Sequence, residues 1–234
     1  MKAFVQKNAL IAMTAWLLLS ACSNDYTDVS TEYASGLCVV KQSEGLPVYL
    51  LTDDSLQLHP VSTLDSTIYE PGNRYLVTYV LMDQLSISGS AYSAKVLDMQ
   101  PVLIKDAIER ANLPGTAGSD PVNLINQPWF GGGFLNFEFS FRYNDASIKH
   151  SVWLVCDSLT EKNGCKKRYL TFMHHANNDK AVKTTSSLYS FPCSSIASFY
   201  TTDSLIVNTI EWTKNGEKQV TYRIKNTHTQ TGKD

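Results

Sequence analysis

The sequence predicts a mostly β protein in two modules: a small N-terminal OB-like barrel with a short helix, then a C-terminal antiparallel β-sandwich. Three observations carry this. Strand formers dominate, with twelve Tyr and nine Phe in a chain that is 43% hydrophobic and only 18% charged. Apolar and polar residues alternate in short segments. The clearest is Phe134–Tyr143, where Leu135, Phe137, Phe139, Phe141 and Tyr143 oppose Asn136, Glu138, Ser140 and Arg142. Finally, Asn215-Gly216 stands between two such segments, which is a specific hairpin signal.

The chain opens with a secretory leader over residues 1–21. Lys2 and Lys7 supply positive charge, Ala9–Leu19 is a short apolar run, and Ser20 and Ala21 are small residues before a cleavage point. The run is shorter than the roughly 20 residues that a spanning helix needs. Leu19-Ser20-Ala21-Cys22 resembles a bacterial lipobox. Cys22 is therefore the expected lipidation site, and several acyl chains there would hold the protein on a membrane without help from charge. Residues 22–35 are polar and aperiodic, as expected of a flexible tether. Ser23 after the cysteine favours the outer membrane, with its periplasmic and surface faces both open.

Residues 36–113 are expected to form the barrel. Gly36–Lys41, Leu46–Leu51, Ser55–Pro60, Arg74–Asp83 and Tyr92–Val102 read as strands, with Glu70-Pro-Gly-Asn73 a turn. Leu103, Ala107, Ile108 and Ala111 share one helical face, which predicts a short helix over 103–112 that stops at Pro114-Gly115. About five strands and one helix suit an OB-type barrel. Pro114–Pro121 has no large apolar residue and is the expected boundary. The sandwich is expected over 122–230, from Gly133–Tyr143, Ser147–Asp157, Lys167–Met173, Leu188–Phe191, Asp203–Ile210 and Lys218–Lys225.

Apart from Cys22, four cysteines remain, in a compartment where pairing is permitted. Cys156 and Cys165 flank the turn-rich segment Asp157–Gly164, so a hairpin would bring them together and they are the candidate disulfide. No CxxC pattern points to zinc, and no metal or cofactor is implied.

Several stretches together carry a family resemblance. They are Gly72–Leu81, Tyr92–Val102, Trp129 with Phe134-Leu-Asn-Phe-Glu-Phe139, His150-Ser-Val-Trp-Leu-Val155 and His174-His-Ala-Asn-Asn-Asp179. With the lipobox and tether they resemble the NigD-like lipoproteins of Bacteroidetes. The resemblance implies an OB-like barrel followed by a β-sandwich, and a bacteriocin-related secretion or immunity context. It carries over no catalytic or binding residue.

Chemistry is sparse by comparison. Removing Lys2 and Lys7 with the leader takes the formal charge from −2 to −4, which argues against a nucleic-acid partner. No GxSxG, HExxH, P-loop or GxGxxG occurs. His174 and His175 with Asp179, and His150 nearby, form a His-dense patch, but adjacent strand residues point to opposite faces. The most unusual segment is Trp129, Phe130, Gly131, Gly132 and Gly133, an aromatic-rimmed glycine loop and the candidate ligand-binding site. Its plainer role, with Trp129 plugging the end of the sandwich and the glycines permitting a bulge, carries more weight. The expected function is an anchored, non-catalytic binding or envelope-assembly module that meets a glycan, a peptide or an envelope protein. An envelope hydrolase without a recognisable motif and a bacteriocin-associated accessory protein are the alternatives.

Overall fold

The computed structural model describes residues 32–42, 44, 47–62, 70–179 and 182–228. The leader and Cys22 lie outside the described residues. No helix among the described residues is long and apolar enough to cross a membrane.

Five strands form the closed N-terminal barrel. They are β1 (Ala34–Lys41), β2 (Tyr49–Thr52), β3 (Gln57–Pro60), β4 (Arg74–Gln84) and β5 (Ala91–Pro101). Their order is β1-β2-β3-β5-β4, with β4 closing onto β1 and β3 running parallel to β5. This is the OB-like module. Strand alternation sends Cys38, Val40, Leu50, Leu58, Tyr75, Val77, Tyr79 and Ala94 into its core. Between them, Val39 is also buried, so β1 is covered on both faces. β1 already begins at Ala34, inside the stretch expected to be tether.

The remaining ten strands build the sandwich. These are β6 (Leu103–Ile104), β7 (Ile108–Glu109), β8 (Asn123–Leu124), β9 (Trp129–Gly131), β10 (Phe134–Tyr143), β11 (Ser151–Lys162), β12 (Cys165–His175), β13 (Lys183–Pro192), β14 (Ser204–Thr213) and β15 (Gly216–Lys225). One sheet runs β6-β13-β10-β8, with β9 also on β10, and the other runs β15-β14-β12-β11-β7. The long neighbours β10–β13, β11–β12 and β14–β15 are antiparallel. Three parallel pairs, β6–β13, β7–β11 and β12–β14, arise where the chain returns from the opposite sheet or from the barrel. Phe137 stacks on Phe172 with ring centres 4.5 Å apart, and Phe139 and Phe191 meet the same rings edge-on.

The expected helix over 103–112 is not formed. Those residues make β6, β7 and a 3-10 turn at Arg110–Asn112. β6 pairs with β13 and β7 with β11, so pairing with waiting sheet edges outweighs a helical face only four residues wide. The barrel therefore ends at Pro101 rather than residue 113. Pro114–Pro121 is a loop of the sandwich, tied to it where the Asp120 N–H donates to the His174 carbonyl.

Candidate functional site

The glycine loop lies at the seam between barrel and sandwich. Arg74, the first residue of β4, is 1% exposed. Its Nη2 reaches both carboxylate oxygens of Asp53 at 2.8 and 2.7 Å, and its Nε donates to Ser190 Oγ at 2.9 Å. Nη2 also reaches Asn136 Oδ1 at 3.2 Å, and the guanidinium lies 4.7 Å from the Phe134 ring centre. Burial pushes the Asp53 carboxyl up, and the Arg74 hydrogen bonds pull against it. A Cβ on Gly131 would sit 2.0 Å from Asp53 Oδ2, and one on Gly132 would sit 2.8 Å from Arg74 Nη1. These two glycines thus let the loop backbone press against the ion pair. Gly133 has open space around it, and its carbonyl accepts the Cys193 N–H. Phe130 packs edge-on against Phe199 at 5.4 Å, and Trp129 is half-buried opposite Asn136. The loop's residues are occupied by contacts within the chain. A lone arginine at the head of the apolar run Tyr75–Leu81 was the sequence signal for this seam.

The candidate disulfide is corrected. All four described cysteines are free, with Cys38, Cys156 and Cys193 buried and Cys165 exposed. Asn163 and Gly164, at φ 53° and 74°, form the two-residue turn between β11 and β12. That turn sets Lys162 opposite Cys165 and places Cys156 opposite Leu170. Residues 157–162 are therefore strand, not the connection they were expected to be. Burial pushes the Cys38 and Cys193 thiols up to about 12.

A cleft lies along one side of the sandwich, with a cavity volume of about 390 Å³. Phe139, Phe141 and Tyr143 wall it from β10, and Thr185, Ser187 and Tyr189 from β13. The register sets Ser187 opposite Phe139 and Thr185 opposite Phe141, and these small side chains leave the space. On the facing sheet, Val152 of β11 pairs with His174 of β12, and both line the cavity with His150.

His150, His174 and Asp179 form a hydrogen-bonded row at this wall. His150 Nε2 lies 3.3 Å from Asp179 Oδ2, and His150 Nδ1 lies 2.9 Å from His174 Nε2. The buried Asp179 carboxylate also accepts the N–H groups of Asn144 and Asp145 at 2.9 and 3.3 Å. These bonds, the Asn144 N–H first, hold it below the ordinary carboxylate range. A carboxylate accepts only, so His150 Nε2–H donates to Asp179. His174 Nδ1 is buried with no well-formed hydrogen bond. Burial, with His150 beside it, drives His174 down to about 4. It is neutral at physiological pH and too weakly basic to be an efficient general base there. The row shapes one wall of the cavity.

His175 points to the other face, as strand alternation requires, with Nδ1 3.1 Å from Asp120 Oδ2. Among the described residues, no group of three or more His, Cys, Asp or Glu is arranged to hold a metal ion.

An OB-like barrel, tied by buried Arg74 to Ser190 and Asn136 of a β-sandwich with mixed parallel and antiparallel pairing, defines the class of protein. Residues 107–225, more than half of the chain, match the NigD-like C-terminal beta sandwich domain, and the chain belongs to the NigD-like family. No curated protein matches the chain. Several solved structures share the fold, three of them as follows. A protein described as toxin-related, from Parabacteroides distasonis, has a TM-score of 0.62 at 22% identity over 84% of this chain and 96% of its own. One described as a candidate lipoprotein, from Bacteroides fragilis, has a TM-score of 0.65 at 14% identity over 85% and 100%. A NigD-like immunity protein from Bacteroides caccae has a TM-score of 0.56 at 17% identity over 81% and 91%.

Proposed function

We propose that this protein is a lipid-anchored, extracytoplasmic binding module without catalytic chemistry of its own, whose ligand seats in the side cleft of the sandwich. The observation that carries this is the cleft itself. It is a cavity of about 390 Å³ with four aromatic walls and a hydrogen-bonded histidine pair, a combination suited to holding a ligand. The anchor rests on Leu19-Ser20-Ala21-Cys22, and the Bacteroides fragilis structure's description points the same way. Outer-membrane placement follows from Ser23. Glycans, peptides and envelope proteins are the ligand classes to screen.

The test has two arms. Cys22→Ala should leave the protein unprocessed or release it to soluble fractions, and a mature, acyl-free variant that stays on the membrane would refute the anchor. A screen of oligosaccharides and peptides, followed by nuclear magnetic resonance, should shift the signals of Phe141, His150 and Tyr189. Ligands that bind while leaving those signals unmoved would place the function elsewhere. A bacteriocin-associated accessory role is the second reading, favoured by the description of the Bacteroides caccae structure. A bacteriocin gene cluster around the coding sequence would support it.

A further inference from the structure

The cleft opens between two sheet edges, and the edges are treated differently. On β11, the Lys105 ammonium donates to the Val152 carbonyl and lies 4.9 Å from the Trp153 ring centre. A lysine set on an edge strand is a usual guard against further pairing. On β13, the short strand β6 covers only Tyr189 and Ser190. Among the described residues, no strand pairs with the outer edge of Lys183–Leu188. Lys183 is the only charged residue in the whole strand.

The orientation of this edge follows from one bond. Lys105 N–H donates to the Ser190 carbonyl, so the peptide groups of Ser190 face outward. With no register shift along β13, those of Leu188, Ser186 and Thr184 face outward too, while the odd-numbered residues bond to β10. The side chains of Thr185, Ser187 and Tyr189 line the cavity. Main-chain donors and acceptors are thus presented directly beside the cavity mouth.

We propose that the cleft binds an extended polypeptide strand from a partner protein. The strand pairs with β13 at Thr184, Ser186 and Leu188, continues the row begun by β6, and places alternate large apolar side chains in the cavity. This rests on the binding function proposed above and names its ligand class. Pairing in the row of β6 puts every second side chain in the layer of Thr185 and Ser187, over the open space. A cavity of 150 Å³ holds benzene, so about 390 Å³ takes roughly two ring-sized groups. A second copy of this chain fits poorly, because its own β13 would offer only Thr185 and Ser187 to that space. Net charge does not select the partner: Lys183 and Lys105 stand near the ends of the edge, and the Asp145 and Asp179 carboxylates close by keep their charge in hydrogen bonds to Ser147, His150 and Asn144. The fitting strand therefore alternates large apolar with small polar residues.

The probe is an end-blocked nonapeptide that alternates Leu, Phe and Val with Thr between an Asp and a Glu. Its control has the same composition with the three apolar residues contiguous. With the full-length protein, the alternating peptide should bind at least about tenfold tighter than the control, and it should slow amide exchange at Thr184, Ser186 and Leu188. Ser186→Pro removes an outward N–H at a position where an edge strand tolerates proline, and it should weaken binding at least about tenfold with an unchanged melting temperature. Ser187→Trp, which fills the cavity, should do the same. If either variant fails to fold, exchange at the three amides of the unaltered chain decides. Peptide binding without protection at those amides overturns the proposal, as does self-association through β13. An oligosaccharide that shifts the cleft while the peptide does not bind would overturn the strand and keep the binding function. If neither binds, both fall.

Discussion

Arg74 Nε donates to Ser190 Oγ across 2.9 Å, and this bond ties the first residue of a barrel strand to the sandwich. The same guanidinium holds Asp53 in two hydrogen bonds and is itself withdrawn from water. A buried cation is tolerated only while its counter-charge stays in place. Asp53→Ala should therefore destabilise the protein by about 3–5 kcal/mol, read by urea unfolding. The double variant Asp53→Leu, Arg74→Met should recover much of that loss. A cost below about 1 kcal/mol for the single variant would show that other groups neutralise Arg74.

Gly132 sits at φ 58°, with Asp53 Oδ1 2.6 Å from where a Cβ would be. Gly132→Ala should lower stability by more than about 1 kcal/mol, because the left-handed backbone and the close approach both oppose the methyl group. Gly133→Ala provides the comparison: φ is 87°, but nothing lies within 4 Å. Calorimetric melting should rank Gly132→Ala as the more damaging. The reverse order would mean that the seam is not closely packed.

Native-state alkylation should label Cys165 rapidly and leave Cys38, Cys156 and Cys193 protected until unfolding, since only the first is exposed. Mass spectrometry of oxidised protein should find no Cys156–Cys165 bridge, because Leu170 rather than Cys165 stands opposite Cys156. A peptide linked through those two sulfurs would contradict the register.

Acid should weaken the fold through His174. Its folded value of about 4 lies below the ordinary 6.5, so the unfolded chain binds the proton more tightly. The stabilisation is complete above pH 6.5 and is lost as pH falls from 6.5 to 4, amounting to about 3 kcal/mol. Asp179, also held low, adds loss in the same direction at still lower pH. His174→Leu should flatten the slope of unfolding free energy between pH 4 and 6.5 by about one proton. An unchanged slope would assign the acid sensitivity to other groups.

By itself, the sequence determined the class of fold, because strand alternation and turn chemistry are local. Phe134–Tyr143 lies on its expected faces, and the hairpin expected around Asn215-Gly216 forms, with Lys214 and Asn215 as its turn and Gly216, at φ 103°, the first residue of the returning strand. It also grouped His174 and His175 with Asp179 and set His150 near them, and of these the structure joins His150, His174 and Asp179 while His175 turns to Asp120. Tertiary structure decided what depends on partners distant in the chain. The helical spacing of Leu103–Ala111 yielded to the open edges of β13 and β11, which lie some 50 to 85 residues further on. The glycines beside Trp129 read as a ligand loop until Asp53 and Arg74 were found against them. Cys156 and Cys165 read as neighbours because polar residues 157–162 look like a loop, whereas Asn163-Gly164 turns the chain and carries the hairpin beyond the core. Polarity follows exposure to solvent, and an exposed strand and a loop share it; only cross-strand pairing tells them apart.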